Sequence, residues 1–194
     1  MQSQLEPEQE RMLVEGARRD PEAFRQLYNH YFPKVYAYVS YRMGRVGDAE
    51  DLVAETFLKM VEGLDGFAWR GAGSCAAWLF RIAHNLVNDF YRRGQRTEEA
   101  IPLDELPELR ASTLLPEDVI LQKEKFAYLR RLIGSLSPRR QEVITLKFFG
   151  GLPNKEIAAL LELDERTVAS HLCRGLEELH RRYVNEVAKE GSSR

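Results

Sequence analysis

The sequence predicts an all-α protein: two small helical domains joined by a flexible acidic linker. Three observations carry that prediction. Apolar residues recur at three- and four-residue intervals through most of the 194-residue chain, the period of a helix with one buried stripe. Period-two alternation, the mark of a half-buried strand, is almost absent. Between Gln95 and Glu117 all periodicity stops, and Pro102, Pro107 and Pro116 stand among Glu98, Glu99, Asp104, Glu105, Glu108 and Glu117, with Arg110. Such a stretch has too little apolar surface to order itself. The expected division is 1–94, linker 95–117, second domain 118–187 and tail 188–194.

A short helix is expected over about Glu8–Arg18, ending in a Gly-Ala-Arg-Arg-Asp run. Asp20-Pro21 caps a long helix kinked near Pro33. Its stripe of Phe24, Leu27, Tyr28, Tyr31, Val35, Tyr38 and Val39 reads as core. Gly44–Gly47 forms a turn, and Asp48 opens the helix DAEDLVAETFLKMVEGL. Val53, Phe57, Met60, Val61 and Leu64 face inward, while Asp48, Asp51, Glu55 and Glu62 share the opposite, solvated face.

The loop LDGFAWRGAGS leads into CAAWLFRIAHNLVNDFYRR. Leu79, Ile82, Ala83, Leu86 and Phe90 point inward; Arg81, Asn85, Asp89 and Arg92 line the other side. Aromatic faces at Phe67 and Trp69 beside amide and cationic groups suit single-stranded nucleic acid. They suit a core lid equally well, and Trp78 fits the core. Periodicity returns near Leu115-Pro116, with a helix through ILQKEKFAYLRRLIGSL.

The stretch Ser137–Tyr183 carries the plainest pattern. Ser137-Pro138 starts a helix that Gly150-Gly151 ends. Asn154–Leu161 forms a second helix, and Glu162-Leu163-Asp164 turns the chain, with Asp164 as the next N-cap. The third helix puts Val168, Leu172, Leu176 and Leu179 on one apolar stripe and Glu165, Arg166, Thr167, Ser170, His171 and Arg174 on the other side. This is a helix-turn-helix, whose second helix enters the major groove of DNA. An ordinary pair of core helices is the alternative. Beyond Tyr183 the charged tail is expected to fray.

Composition excludes several classes. The net charge of −2 does not suit a blanket nucleic-acid binder, although arginines gather at Arg92, Arg93 and Arg96 and across the helix-turn-helix. Cys75 and Cys173 form no metal-ligand spacing, which predicts a reduced, cytoplasmic protein without metal or cofactor. No run approaches a membrane span and no signal peptide is expected. His30, His84, His171 and His180 are too scattered for an all-α metallohydrolase.

Three of these segments resemble, in order, parts of bacterial sigma factors. DAEDLVAETFLKM resembles the core-binding helix of region two, WLFRIAHNLVNDFYRR the minus-ten reader of small sigma factors, and Ser137–Tyr183 region four. Region four is matched at Ser137-Pro138, Glu142-Val143, Leu146, Gly151-Leu152, Glu156-Ile157-Ala158, Thr167-Val168, Ser170, Leu172 and Arg174. Departures are Ala54 for Gln, Pro153 for a Ser cap, Glu162 for the turn Gly, and Ala169 and His171 for Lys and Arg. Region two covers roughly Asp20–Arg93 and region four roughly Gln122–Val187, the two-domain layout of the extracytoplasmic-function (ECF) class.

The resemblance implies a non-enzymatic subunit that directs transcription initiation. Its partners would be core RNA polymerase (largest and second-largest subunits), promoter DNA and an anti-sigma factor. Asp48, Asp51, Glu55 and Lys59 would bind core polymerase. Phe67, Trp69, Arg81, Asn85, Asp89 and Arg92 would take the minus-ten element, with Arg81 and Asn85 holding an unstacked base. Lys155, Glu165, Arg166, Thr167, Ser170, His171 and Arg174 would take the minus-thirty-five element. The linker would thread the polymerase channels or act as a passive tether. A helix-turn-helix regulator that is not a sigma subunit is the alternative; it leaves the first two segments unexplained.

Overall fold

The computed structural model describes residues 5–43, 45–93 and 127–191. In order these form α1 (Pro7–Gly16), α2 (Pro21–Arg42), α3 (Val46–Gly63), a 3₁₀ turn (Leu64–Gly66), α4 (Ser74–Arg92), α5 (127–134), α6 (Pro138–Phe148), α7 (Asn154–Leu161) and α8 (Glu165–Gly191). Among the described residues there is no strand. The expected linker 95–117 and the start of the helix expected after it lie outside the described residues.

Local chemistry accounts for most boundaries. The Asp20 carboxylate accepts the Glu22 N–H at 2.9 Å and Pro21 takes the first helical position, so α2 starts as expected. Pro33 lies inside α2 without ending it. Tyr31, Val35, Tyr38 and Val39 are buried on both sides of it, and that packing outweighs one missing backbone bond. Helix α3 begins at Val46, so Asp48 sits in its first turn rather than opening it. There its charge faces the positive end of the helix. Ser137 precedes α6 but makes no side-chain cap bond; Pro138 alone marks that start. The expected fraying after Tyr183 is not observed, because α8 continues to Gly191. No proline or glycine interrupts Val184–Glu190, and Arg131 pairs with Glu186 at 3.2 Å.

Helices α1–α4 pack around Leu27, Val35, Tyr38, Val39, Met60, Leu79 and Phe80, all fully buried. Helices α6–α8 close over Val143, Leu146, Leu152, Ile157 and Val168. Two stripe positions depart from expectation: Val61 is 49% and Leu176 44% exposed. Each lies at the margin of its stripe, where a quarter-turn decides between core and solvent.

The two bundles dock on each other: most of their buried residues form one continuous cluster, and Tyr41, Ile133, Leu136 and Ile144 form a smaller one across the same contact. The Gly150 backbone sits on the Phe80 ring, leaving room for no side chain: a Cβ there would lie 3.2 Å from the ring and 2.6 Å from the Leu146 carbonyl oxygen. Arg42 reaches Glu142 at 3.0 Å, Tyr41 donates to Gln141 at 3.1 Å, and Arg130 donates to the Met43 carbonyl at 2.8 Å.

Candidate nucleic-acid and partner interface

The outer face of α3 is built by default: its inner side is filled by Leu52, Val53, Thr56, Phe57 and Met60. Asp51, Glu55 and Lys59 are exposed, and Asp48 is half-buried. The Lys59 ammonium stands 3.6 Å from Glu55, with both side chains nearly half exposed. Such a pair is screened by water and leaves both groups available to a partner. Leu58, 58% exposed, and Val61 add apolar area to this acidic surface. Neither was assigned to it from sequence. The signal for Leu58 was its place between Glu55 and Glu62, on the side away from Met60.

On α4, Arg81, Asn85 and Arg92 are exposed and Asp89 is half-buried, so the predicted face exists. Asp89 and Arg92 pair with each other at 2.9 Å. Arg81 and Asn85 remain toward solvent, while His84 and Phe80 turn inward to the second bundle.

The loop before α4 is more constrained than its glycines suggest. Phe67 stacks on Trp78 at 4.5 Å and 19°. The backbone of Gly63 lies beside the Trp78 ring, where a Cβ would come within 2.8 Å of it. A glycine is therefore required for this approach. The Trp69 indole N–H donates to Glu10 at 3.1 Å, and Glu10 also accepts from the Tyr31 hydroxyl. Both predicted aromatics are thus half-buried and already engaged. Sequence reasoning missed Glu10, because its partners lie 21 and 59 residues away.

The helix-turn-helix forms with the chain's own turn residue. Glu162, where a glycine was expected, adopts φ 55° and ψ 47°, and Leu163 N–H returns to the Ala158 carbonyl at 2.9 Å. Val168 N–H bonds the Asp164 carbonyl at 3.0 Å, the first bond of α8. Lys155, Glu165, Arg166 and Arg174 are exposed; Thr167, Ser170 and His171 are half-buried.

Helix α6 adds Arg139 and Arg140 to the charge around His171, which sequence reasoning did not assign. Burial pushes the His171 pKa down, and Arg140, Arg139 and Arg174 push it further. The imidazole therefore holds a proton less readily than a free one, beside three arginines that suit phosphate. Arg140–Glu178 at 2.6 Å and Arg139–Glu142 at 3.2 Å temper that field. Among the described residues no His, Cys, Asp or Glu cluster could hold a metal, and no helix is long and apolar enough to cross a membrane.

Comparison with known proteins places the chain in a family. A family model described as Sigma-70 region 2 matches residues 27–97, and one described as Sigma-70, region 4 matches residues 126–179. The ECF RNA polymerase sigma factor BldN of Streptomyces coelicolor is 34% identical over 170 residues, covering 87% of this chain. The chain spans 64% of that relative's length. The ECF RNA polymerase sigma-E factor of Salmonella typhimurium is 32% identical over 176 residues, 87% of this chain and 91% of the relative. The fold is also that of the solved sigma factor RpoE of Bartonella quintana, determined in complex with the anti-sigma factor NepR. That likeness has a TM-score of 0.60 at 22% identity, covering 81% of this chain and 94% of the other.

Proposed function

This chain belongs to the ECF class of RNA polymerase sigma factors, and we propose that it is a dissociable subunit giving core polymerase its promoter specificity. The first domain, 1–94, binds core polymerase through α3 and captures the minus-ten element through α4 and the loop before it. The second, 118–187, reads the minus-thirty-five duplex through α8. Residues 95–117 connect them and 188–194 follow.

One observation supports this reading above the others. Three faces without a role in the core — acidic on α3, polar on α4, polar and basic on α8 — occur on separate helices in one chain. A stand-alone regulator needs only the last. On α3, Asp51 and Glu55 form the polymerase handle, with Asp48 and Lys59 at its edges and Leu58 as an apolar contact. On α4, Arg81 and Asn85 hold the unstacked base while Asp89 and Arg92 border it. At the groove, Glu165, Arg166 and Thr167 face base edges; Lys155, Ser170, His171 and Arg174 face the backbone. The subunit positions promoter DNA in the cytoplasm and performs no chemistry of its own. An anti-sigma factor covering these faces is the expected regulator.

The test is co-elution with purified core polymerase. The wild-type chain should form a stable complex, and D51K/E55K should lose affinity by at least about tenfold, since reversal replaces attraction with repulsion. Unchanged co-elution of the variant would remove α3 from the interface.

A further inference from the structure

We propose that α1 is a working part of the minus-ten reader, with Glu10 and Arg18 as positioning residues that hold the loop between Leu64 and Ser74 in shape. The inference rests on the sigma reading above and assigns a role to a helix that precedes both segments matched by the family models.

Glu10 is the observation that needs a cause. It is 5% exposed, on a helix whose other acids, Glu8 and Glu15, face solvent. A buried carboxylate is costly unless donors surround it. Here the donors are the Tyr31 hydroxyl of α2 and the Trp69 indole of the loop, so one side chain ties three segments together. Arg18, just after α1, grips the same loop from below. Its Nε donates to the Leu64 carbonyl at 3.1 Å and its Nη2 to the Phe67 carbonyl at 2.5 Å. The anchored points are Leu64, Phe67 and Trp69; beyond them Gly71 and Gly73 both take positive φ.

Apart from the stack of Phe67 on Trp78, the loop has little else to fix it. Its own backbone bonds are Phe67 N–H to Leu64 and Ser74 N–H to Gly71, with Arg70 N–H to the Ser74 hydroxyl. A glycine-rich segment with so few internal bonds, held otherwise by the Phe67 stack, would have more freedom to lose when DNA arrives, at an entropic cost to binding. The clamp from α1 meets that cost in the free protein. A cleft of about 490 Å³ between α1 and the loop is lined by Arg11, Glu15, Arg18, Phe67 and Trp69, with Arg11 paired to Glu15 at 3.0 Å. Glu15 offsets Arg11, so Arg18 leaves this cleft with a net positive charge where an unpaired strand would pass. Loss of the clamp should therefore impair strand opening and spare the upstream duplex contact.

The experiment uses the full chain with core polymerase and four variants: E10A, E10Q, W69F and E10A/W69F. Permanganate reactivity reports opening on a duplex promoter and on one whose minus-ten bubble is already unpaired. E10A and W69F should each lower opening of the duplex about tenfold, the worth of one hydrogen bond to a charged group. E10Q, which keeps an acceptor, should stay within about threefold of wild type. The double variant should fall no further than E10A, because E10A already removes the Trp69–Glu10 bond together with that from Tyr31. The pre-opened template should recover most of the loss. Should E10A fail to fold, R18K takes its place: it keeps the charge but loses the two-carbonyl grip on the loop, and should likewise lower opening of the duplex and not of the pre-opened template.

Wild-type opening by W69F, equal losses on both templates, or additive losses in the double variant would overturn the clamp. Absence of opening by the wild-type chain, despite complex formation with core, would instead overturn the parent reading and this inference with it.

Discussion

Arg42 of α2 and Glu142 of α6 stand 3.0 Å apart with side chains only 20% and 12% exposed, and through them the first domain holds the second. Glu142 also takes Arg139 at 3.2 Å and faces His84 at 3.6 Å. The contact matters because it fixes the bundle that carries α4 relative to the one that carries α8.

Removing Glu142 is expected to loosen this arrangement. Glu142→Ala leaves the Arg42 charge partly buried and unpaired, which costs about 3 kcal/mol. Small-angle scattering should show a larger radius of gyration for the variant, and its thermal unfolding should come earlier. An unchanged radius would mean that apolar packing around Gly150 and Phe80 suffices to hold the domains.

Docking should also weaken in acid. Burial pushes His84 below its ordinary pKa of 6.5; Glu142 opposes that shift, while Arg42 and Arg139 reinforce it. Its ring is held by the Tyr38 hydroxyl at 3.1 Å and the Asn88 amide at 2.8 Å. The docked state thus binds fewer protons here than a separated or unfolded one. By linkage its stability is complete above about pH 6.5 and declines as pH falls below that value. Melting temperature measured from pH 7.5 to about 5.5 should drop in the wild type and flatten in His84→Gln.

The turn of the helix-turn-helix carries removable strain. Glu162 holds φ 55°, a conformation costing a non-glycine residue about 1–2 kcal/mol. Glu162→Gly relieves it but loosens the unfolded chain, so a net gain of roughly 0.5–1 kcal/mol is expected in denaturant unfolding. DNA binding should be unaffected, because only the turn changes.

Arg174 and Arg166, both exposed on α8, should fail in different ways. Arg174→Ala is expected to weaken all duplexes alike and reduce the salt slope by about one. Arg166→Ala should alter base preference at the upstream element, as it sits at the end entering the groove. Binding titrations on a set of upstream sequences at several salt concentrations separate the two outcomes.

What the sequence revealed follows from which contacts are local. The α3 acidic face, the Arg81–Asn85 face and the helix-turn-helix were legible because residues three and four apart share a helix side. Val61 and Leu176 were misplaced because spacing locates the centre of a stripe and not its edge. The grip of Glu10 on Trp69 and of Arg42 on Glu142 spans 59 and 100 residues, and no periodicity encodes such pairs. Phe67 and Trp69 were legible as aromatic and loop-borne. Their engagement with Trp78 and Glu10 was not, since it depends on how α1 and α4 meet around the loop.

Initiation itself tests the central claim most directly. Core polymerase, incubated with this chain and a library of double-stranded promoters, is scored by run-off transcripts. The account predicts chain-dependent transcripts from a subset of templates sharing one upstream and one minus-ten sequence, with loss of initiation in D51K/E55K. No transcript above core polymerase alone, with duplex binding equally strong in its absence, would contradict it and leave a helix-turn-helix regulator in its place.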